Sequence, residues 1–302
     1  MTIDSRYRGI LFMLLAALGF SVMGGAAKIL KGSFGAGQLV FWRNTVGILV
    51  LIAGFIAKPP KNKGGKLKLL VFRGIMGTTA LYSLLYCILH LPLGTAMTYN
   101  LTSAIFIAIF SFLLFKEYHG RIVLQAVMLG FIGMLLVYKP AIDFPWYYHV
   151  AGLISGISSA IAYMSVNRLA TYYDNRVIML AFIGSGFIVP SIFMIIRYAF
   201  QIEPDNVFFI NWRWPIGIEW FYVCWLGLAA FFGQYFVTKS YGADKAGIVS
   251  AIGYSNIIFS VFIGMALGDA FPDLISATGM LCIIASGVII SIVKWRTRTP
   301  SG

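Results

Sequence analysis

Ten apolar stretches of about 18 residues or more follow one another along the chain, and this pattern restricts its fold more than any other feature. A helix of about 20 apolar residues crosses the hydrocarbon core of a bilayer. Because only 11% of the residues are charged, against about 25% in soluble domains, the sequence predicts an all-α integral membrane protein. The predicted transmembrane helices span residues 9–30, 35–57, 68–90, 93–115, 121–138, 148–170, 176–198, 217–240, 245–268 and 273–294.

The basic residues between these stretches are distributed unevenly between the two sides of the predicted membrane protein. With ten crossings, 17 of the 23 Lys and Arg residues lie on the side of the two termini, and five lie on the other side. The majority includes Arg6, Arg8 and the six basic residues from Lys58 to Arg73. Basic residues concentrate in cytoplasmic loops, so the pattern predicts cytoplasmic termini and a multi-pass protein of the cell inner (cytoplasmic) membrane. The net charge of +13 then reflects topology and not nucleic-acid binding.

The N-terminal stretch also resembles a cleavable signal peptide, because Arg6 and Arg8 precede an apolar run that ends in small residues at 24–27. Cleavage would leave nine helices and would move the basic loops to alternating sides of the membrane. The charge distribution therefore favours an uncleaved first helix.

No cofactor or metal site is predicted. The three cysteines lie inside apolar stretches: Cys87, Cys224 and Cys282. The three histidines lie at the ends of stretches, far apart in the sequence: His90, His119 and His149. This distribution fits neither a disulfide framework nor the spacing of metal ligands.

The chain contains an internal repeat with an offset of 152 residues. The offset aligns Ser103 with Ser255, Ile105 with Ile257, Phe110 with Phe262, and Glu117 with Asp269. Each half holds five stretches, an odd number, so the second copy crosses the membrane in the opposite sense. Inverted repeats are typical of secondary transporters, in which the substrate site lies between the halves near the midplane.

Two segments resemble a known family of carriers. Residues 72–117, FRGIMGTTALYSLLYCILHLPLGTAMTYNLTSAIFIAIFSFLLFKE, resemble the EamA-type core of the drug/metabolite transporter superfamily, and residues 226–269 are similar to its second copy. The resemblance implies two EamA units, at residues 1–140 (helices 1–5) and 148–296 (helices 6–10), as two inverted five-helix repeats. It also implies a central cavity between helices one to four and six to nine. Helices five and ten would be peripheral, where a homodimer could form.

Arg43 is the one charge well inside a predicted helix. It is the ninth residue of the second stretch, about 12 Å from its end. It is expected either to contact the substrate in a cavity or to make a structural or gating contact by snorkelling to the outer interface. No Asp or Glu lies deep in a predicted helix, so an anionic or zwitterionic substrate fits better than a cation, which would depend on aromatic rings alone.

Polar and aromatic residues recur at four-residue spacing, which places each pair on one helix face. The pairs are Tyr82 with Tyr86, Tyr99 with Ser103, Tyr163 with Asn167, Gln234 with Thr238, and Ser250 with Tyr254. All of them except Ser250, together with Arg43 and the midplane residues Asn100 and Asn256, are predicted substrate contacts. The alternative is that these side chains bridge helices or lie at the membrane interface.

Small residues four positions apart occur in two predicted helices, as Gly152 with Gly156 and Gly264 with Gly268. Such motifs allow backbones to approach closely. The sequence therefore predicts tight helix packing at both motifs.

The sequence predicts a secondary transporter and not an enzyme. A small organic metabolite, such as an amino acid or a carboxylate, would cross the cytoplasmic membrane by alternating access. A lipid or lipid-linked-sugar flippase of the same architecture is the alternative. A membrane-embedded enzyme or a channel would require clustered catalytic groups or a filter motif, and neither pattern is present in the sequence. The predicted partners are a small-molecule substrate and membrane lipids.

Overall fold

The computed structural model describes residues 7–30, 32–61, 63–90, 99–115, 120–138, 145–202, 212–244, 246–268 and 272–298. Within these ranges the chain forms helices and no strands. The helices are α1 Arg8–Leu30, α2 Ala36–Ala57, α3 Leu67–His90, α4 Ser103–Phe115, α5 Gly120–Tyr138, α6 Trp146–Leu169, α7 Asn175–Phe200, α8 Glu219–Ala243, α9 Ala246–Ile252, α10 Ser255–Ala266 and α11 Leu274–Arg298. Glu117, His119 and Asp269 lie outside the described residues.

Eight of the predicted transmembrane helices correspond to one helix each, namely α1, α2, α3, α5, α6, α7, α8 and α11. The all-α prediction is therefore confirmed for the described residues. Six segments are long and apolar enough to cross a membrane: α1, α2, α6, α7, α8, and Ile248–Ala266, which combines parts of α9 and α10. These segments make the chain a multi-pass membrane protein.

The fourth and ninth predicted helices are interrupted, although the sequence predicts each as continuous. Helical residues 99–101 are separated from α4 by a turn at Thr102, and α9 is separated from α10 by a turn at Gly253 and Tyr254. Thr102 and Tyr254 are 152 residues apart, which is the offset of the sequence repeat. Irregular backbone at membrane depth is tolerated where protein buries it or where it lines a cavity.

The helices pack in close pairs, and glycines form several of the contacts. The most extensive pairings join α1 to α8, α3 to α6, and α5 to α11. In the α5–α11 pair, a Cβ at Gly133 would lie 2.5 Å from the carbonyl oxygen of Gly279, and the reverse distance is also 2.5 Å. In the α1–α8 pair, a Cβ at Gly19 would lie 2.8 Å from the backbone nitrogen of Gly233. Side chains at these positions would force the helices apart.

The two glycine motifs of the sequence behave differently. A Cβ at Gly152 would lie 2.8 Å from the Cβ of Tyr99, and one at Gly156 would lie 2.8 Å from the carbonyl oxygen of Tyr99. The predicted tight packing is therefore present in α6. Gly268 instead follows the end of α10 with φ of 92°, and no atom of the described residues lies within 4 Å of its Cβ position. It is a helix-terminating glycine, so the packing prediction is wrong for this residue.

The loop before α3 is attached to the loop between α6 and α7. The backbone N–H groups of Lys63 and Gly64 donate to the carbonyl oxygen of Tyr172, over 2.8 and 3.2 Å. The N–H of Lys66 donates to the hydroxyl of Tyr173 over 3.1 Å. These contacts hold the chain immediately before α3, and they help to determine how far its first residues extend into the protein.

We expect Gly133→Ala to destabilise the protein, because the added methyl group would overlap with the backbone of α11. Overpacking of this kind typically costs about 1–3 kcal/mol, which exceeds the gain of up to about 1 kcal/mol in helix propensity. Thermal unfolding of the purified protein in detergent measures the effect. Gly184→Ala in α7 is the matched control, because none of the residues that the structure describes has an atom within 4 Å of that Cβ position. Equal midpoints for the two variants would contradict the close packing of α5 and α11.

Candidate functional site

A central cavity of about 220 Å³ lies between the helices. Its lining residues come from α1 to α4, from α6 to α10, from the helical residues Asn100 and Leu101 before α4, and from Gly253 in the turn between α9 and α10. None of the described lining residues belongs to α5 or α11. This distribution agrees with the cavity between helices one to four and six to nine that the family resemblance implies.

Two buried arginines line the cavity. Arg43 of α2 is 8% exposed and Arg73 of α3 is 2% exposed. Their guanidinium carbons lie 5.4 and 5.1 Å from the centroid of the same ring, that of Phe182 in α7. The guanidinium carbon of Arg73 also lies 5.8 Å from the ring centroid of Tyr163. Aromatic faces therefore hold both cations at the cavity.

The position of Arg73 corrects the sequence prediction. The sequence places this residue among the basic residues of a cytoplasmic loop and leaves Arg43 as the one charge inside a helix. The third predicted helix, 68–90, includes Arg73 near its end, and α3 begins only one residue earlier, at Leu67. What the structure changes is the environment of Arg73, which is buried more than one helical turn inside α3. Hydropathy does not distinguish a buried arginine near a helix end from a loop arginine, because both lie beside the same cluster of basic residues.

Neither guanidinium has a carboxylate partner among the described residues. The described ion pairs join Arg176 to Asp174 and Arg213 to Glu219. The Nε and Nη1 atoms of Arg43 and the Nε atom of Arg73 are buried without a hydrogen-bond partner in this part of the chain. The described residues that line the cavity include no Asp or Glu.

The energetic balance of this arrangement favours an additional acceptor. An arginine at the centre of a bilayer costs roughly 2.5 to 3.5 kcal/mol on insertion scales. A desolvated cation–π contact returns about 2 kcal/mol, which offsets much of that cost for each arginine. The aromatic rings supply no oxygen atoms to the N–H donors, however, and unsatisfied buried donors are costly. A bound anionic group would satisfy them.

Tyrosines form a further part of the cavity wall. Tyr163 of α6 stacks on Tyr241 of α8, with ring centroids 4.7 Å apart and an interplanar angle of 11°. Both residues line the cavity. The stack joins α6 to α8, and the guanidinium group of Arg73 lies against both the ring of Tyr163 and the ring of Phe182.

Asn100 and Asn256, which the sequence predicts near the midplane, line the cavity and also bridge helices. The amide of Asn100 donates to the hydroxyl oxygens of Ser155 and Ser159 in α6, over 3.1 Å in each case. The amide of Asn256 in α10 donates to the carbonyl oxygen of Ala17 and to the hydroxyl of Ser21 in α1, over 2.8 and 2.9 Å. Their amide nitrogens are thus used in helix contacts, as the alternative interpretation of these residues expects.

Six of the predicted substrate contacts line the cavity: Arg43, Asn100, Ser103, Tyr163, Gln234 and Asn256. The other six are not among its lining residues: Tyr82, Tyr86, Tyr99, Asn167, Thr238 and Tyr254. The four-residue spacing leaves a rotation of about 40° between partners, so one partner can face the cavity while the other faces a neighbouring helix. Tyr163 and Asn167 illustrate this, since Tyr163 lines the cavity whereas Asn167 donates to a backbone carbonyl of the neighbouring helix α8.

The residues outside the cavity make contacts elsewhere in the protein. The ring of Tyr86 lies 5.6 Å from that of Tyr148, and the hydroxyl of Tyr99 is hydrogen-bonded to Nδ1 of His149. Asn167 donates to the carbonyl oxygen of Tyr241 over 3.0 Å. The remaining two tyrosines, Tyr82 and Tyr254, are buried, with exposures of 6% and 0%.

Arg73, Phe182 and Tyr241 are cavity residues that carry the site's charge and aromatic contacts, and the sequence did not predict them as substrate contacts. Tyr241 lies three positions after Thr238, so helical spacing could have indicated it. Phe182 is one of 25 phenylalanines and carries no distinguishing signal in the sequence. Its importance follows only from the two arginines that contact its ring.

Comparison with known proteins relates this architecture to transporters. The profile of the EamA-like transporter family matches residues 7–139. An uncharacterized transporter of Helicobacter pylori (strain ATCC 700392 / 26695) is 30% identical over 288 residues, which cover 94% of each chain. The pseudopaline exporter CntI of Pseudomonas aeruginosa (strain UCBPP-PA14) is 25% identical over 296 residues, covering 97% of this chain and 99% of the exporter.

The fold itself is shared with a protein of known crystal structure. The two chains superpose with a TM-score of 0.75 at 19% sequence identity, covering 96% of this chain and 99% of the other. At this identity the likeness concerns the fold alone. The relatives named as transporters match nearly the whole length of the chain. The protein therefore belongs to the EamA-like transporter family and is a multi-pass membrane transporter of small molecules.

Proposed function

We propose that this protein is a secondary transporter that moves a small organic anion or zwitterion across the cytoplasmic membrane by alternating access. The central cavity is the proposed substrate site. The observation that carries the proposal is the pair of buried guanidinium groups, Arg43 and Arg73, which lack carboxylate partners among the described residues. A carboxylate on the substrate would accept the hydrogen bonds that these groups have available.

The packing of the helices supports alternating access between two inverted halves. If helices one to five and six to ten are inverted copies, α1 corresponds to α6 and α3 corresponds to α8. The α1–α8 and α3–α6 pairs are then equivalent, and both are among the most extensive pairings in the protein. The interruptions at Thr102 and Tyr254 share the offset of the repeat and adjoin the cavity. Discontinuous helices beside a midplane site are typical of such transporters.

A second cavity gives the flippase alternative a structural basis. It measures about 610 Å³ and is lined mainly by apolar residues of α1, α9, α10 and α11, together with Tyr7 and Ser255, so it could hold an acyl chain. Its described lining residues include no charged side chain that could bind a headgroup. The central cavity, at about 220 Å³, is smaller than the roughly 300 to 1,000 Å³ of sites for drug-sized ligands. A small soluble substrate therefore fits the charged site better than a lipid-linked sugar.

Reconstitution into liposomes separates these two functions. Lipid translocation and the flux of small organic anions and amino acids are measured in the same vesicles. We expect flux of a soluble anion or zwitterion without lipid translocation. The opposite result would favour the flippase and would reject the proposed substrate.

The proposed topology is tested with reporters. We expect a reporter inserted after Lys63, or fused after Gly302, to be cytoplasmic, and a reporter inserted at Gly217 between α7 and α8 to be outside. The reason is that ten crossings place the loop of Gly217 opposite the basic loops. A cytoplasmic reporter at Gly217 would reject the ten-helix topology and, with it, the inverted repeat.

We expect Arg43→Lys to weaken transport and Arg43→Gln to weaken it more, because lysine keeps the charge but loses the planar fork of donors. Loss of a charge-assisted contact of about 1.5 to 3 kcal/mol corresponds to roughly a ten- to hundredfold loss of substrate affinity. Flux assays with purified variants at several substrate concentrations measure this change.

Arg121→Gln is the matched control for loss of one positive charge. Arg121 is exposed on α5 and is not among the cavity residues, so its substitution should leave substrate affinity unchanged. If Arg43→Gln keeps normal affinity but changes turnover, Arg43 has a gating role and the proposed charge recognition is incorrect.

A further inference from the structure

The central cavity holds more positive charge than one carboxylate can neutralise. Arg43 and Arg73 come from different helices, and both are buried at the cavity wall. Their guanidinium carbons lie within 5.4 Å of one ring centroid, so they are separated by less than twice that distance. Two like charges this close repel each other strongly in a low-dielectric environment. A monoanion would leave one of them without a counter-charge.

The chain is shaped to keep Arg73 in this position. Gly77 lies one helical turn after Arg73 in α3, and a Cβ there would overlap with Nη1 of Arg73 and would lie 2.6 Å from Cδ2 of Phe182. Any other residue at position 77 would therefore displace Arg73, Phe182 or both. The absence of a side chain at Gly77 lets the guanidinium group of Arg73 lie against the ring that Arg43 also contacts.

The unsatisfied donors are divided between the two arginines. The Nε and Nη1 atoms of Arg43 lack acceptors, and so does the Nε atom of Arg73, among the residues that the structure describes. The edge of a guanidinium group binds one carboxylate with two parallel hydrogen bonds. Two such edges on separate helices are suited to two carboxylates on one small molecule.

We infer that the preferred substrate is a small organic dianion with two separate carboxylates, one bound by Arg43 and the other by Arg73. This inference rests on the proposed function, because it assigns a substrate class to the same cavity. The stacked rings of Tyr163 and Tyr241 form the adjoining wall, where they contact the carbon chain between the carboxylates. The cavity of about 220 Å³ limits the substrate to a short chain.

The charge requirement is tested by binding to the purified full-length protein in detergent. The probes are malonate, succinate, glutarate and adipate, each compared with its half-amide and its diamide, which remove one charge and two charges. Thermal stabilisation and isothermal titration calorimetry report binding. We expect one of the diacids to bind about ten- to hundredfold more tightly than its half-amide, because the half-amide lacks one charge-assisted contact.

Three variants connect this preference to the cavity. Arg43→Gln and Arg73→Gln should each bring the diacid and its half-amide to within about threefold of each other. Gly77→Ala keeps both charges but displaces Arg73, so it should also reduce the preference for the diacid. Gly184→Ala is its control and should leave the preference unchanged, since that Cβ position has no neighbouring atom within 4 Å in the described part of the chain. If Arg73→Gln does not fold, the Gly77→Ala variant and the binding of the diacids and their amides to the wild-type protein still test the preference for a dianion.

The outcomes separate this inference from the proposed function. A half-amide or an amino acid that binds as tightly as any diacid, with dependence on Arg43, overturns the dianion and leaves the transport of monoanions or zwitterions intact. Tight binding of inorganic phosphate without any diacid overturns the assignment of two separate carboxylates. Binding of the neutral diamides as tightly as the diacids, or wild-type affinity in both Arg→Gln variants, overturns the inference and the proposed function together.

Discussion

Inside a bilayer every backbone N–H and C=O group must find a hydrogen-bond partner within the protein, and the rest of this structure depends on that requirement. It explains why the described residues form helices and why most of the helices are uninterrupted. It also explains where interruptions are tolerated. The turns at Thr102 and at Gly253 and Tyr254 adjoin residues of the central cavity, where other polar groups are available.

A second consequence is that hydrophobic burial contributes little to the association of helices in lipid, so close packing and polar bridges hold them together. The glycine contact between α5 and α11 and the asparagine bridges from Asn100 and Asn256 are contacts of these two kinds. The asparagines also line the cavity. If a ligand in the cavity takes hydrogen bonds from these amides, the contact of Asn100 with α6 and that of Asn256 with α1 would therefore change at the same time.

The two arginines are buried charges in a largely apolar interior, and their environment indicates a role beyond stability. Rings replace the counter-charges that structural arginines normally have, since Phe182 contacts both and Tyr163 contacts Arg73. An aromatic face stabilises a cation while leaving the N–H edge of a guanidinium group available. A site built in this way can release its ligand, whereas a permanent carboxylate partner would compete with an anionic substrate.

The sequence alone determined the all-helical membrane fold, most helix boundaries to within a few residues, and the shortage of acidic groups in the membrane interior. These properties follow from composition and from the length of the apolar stretches, because the length and apolarity of each stretch decide whether it can cross a bilayer. Six of the twelve predicted substrate contacts line the central cavity, and for the arginine and the amides among them the reason is that a charge or an amide inside a helix requires a polar environment.

Only the tertiary structure decided which polar residues share the cavity, because neighbouring helices determine whether a given face meets a cavity or another helix. Tyr86 and Asn167, for example, contact neighbouring helices and do not line the cavity. Arg73 required the structure for a different reason: whether an arginine near a helix end reaches the loop or the interior depends on packing, here on the space beside Gly77 and on the ring of Phe182.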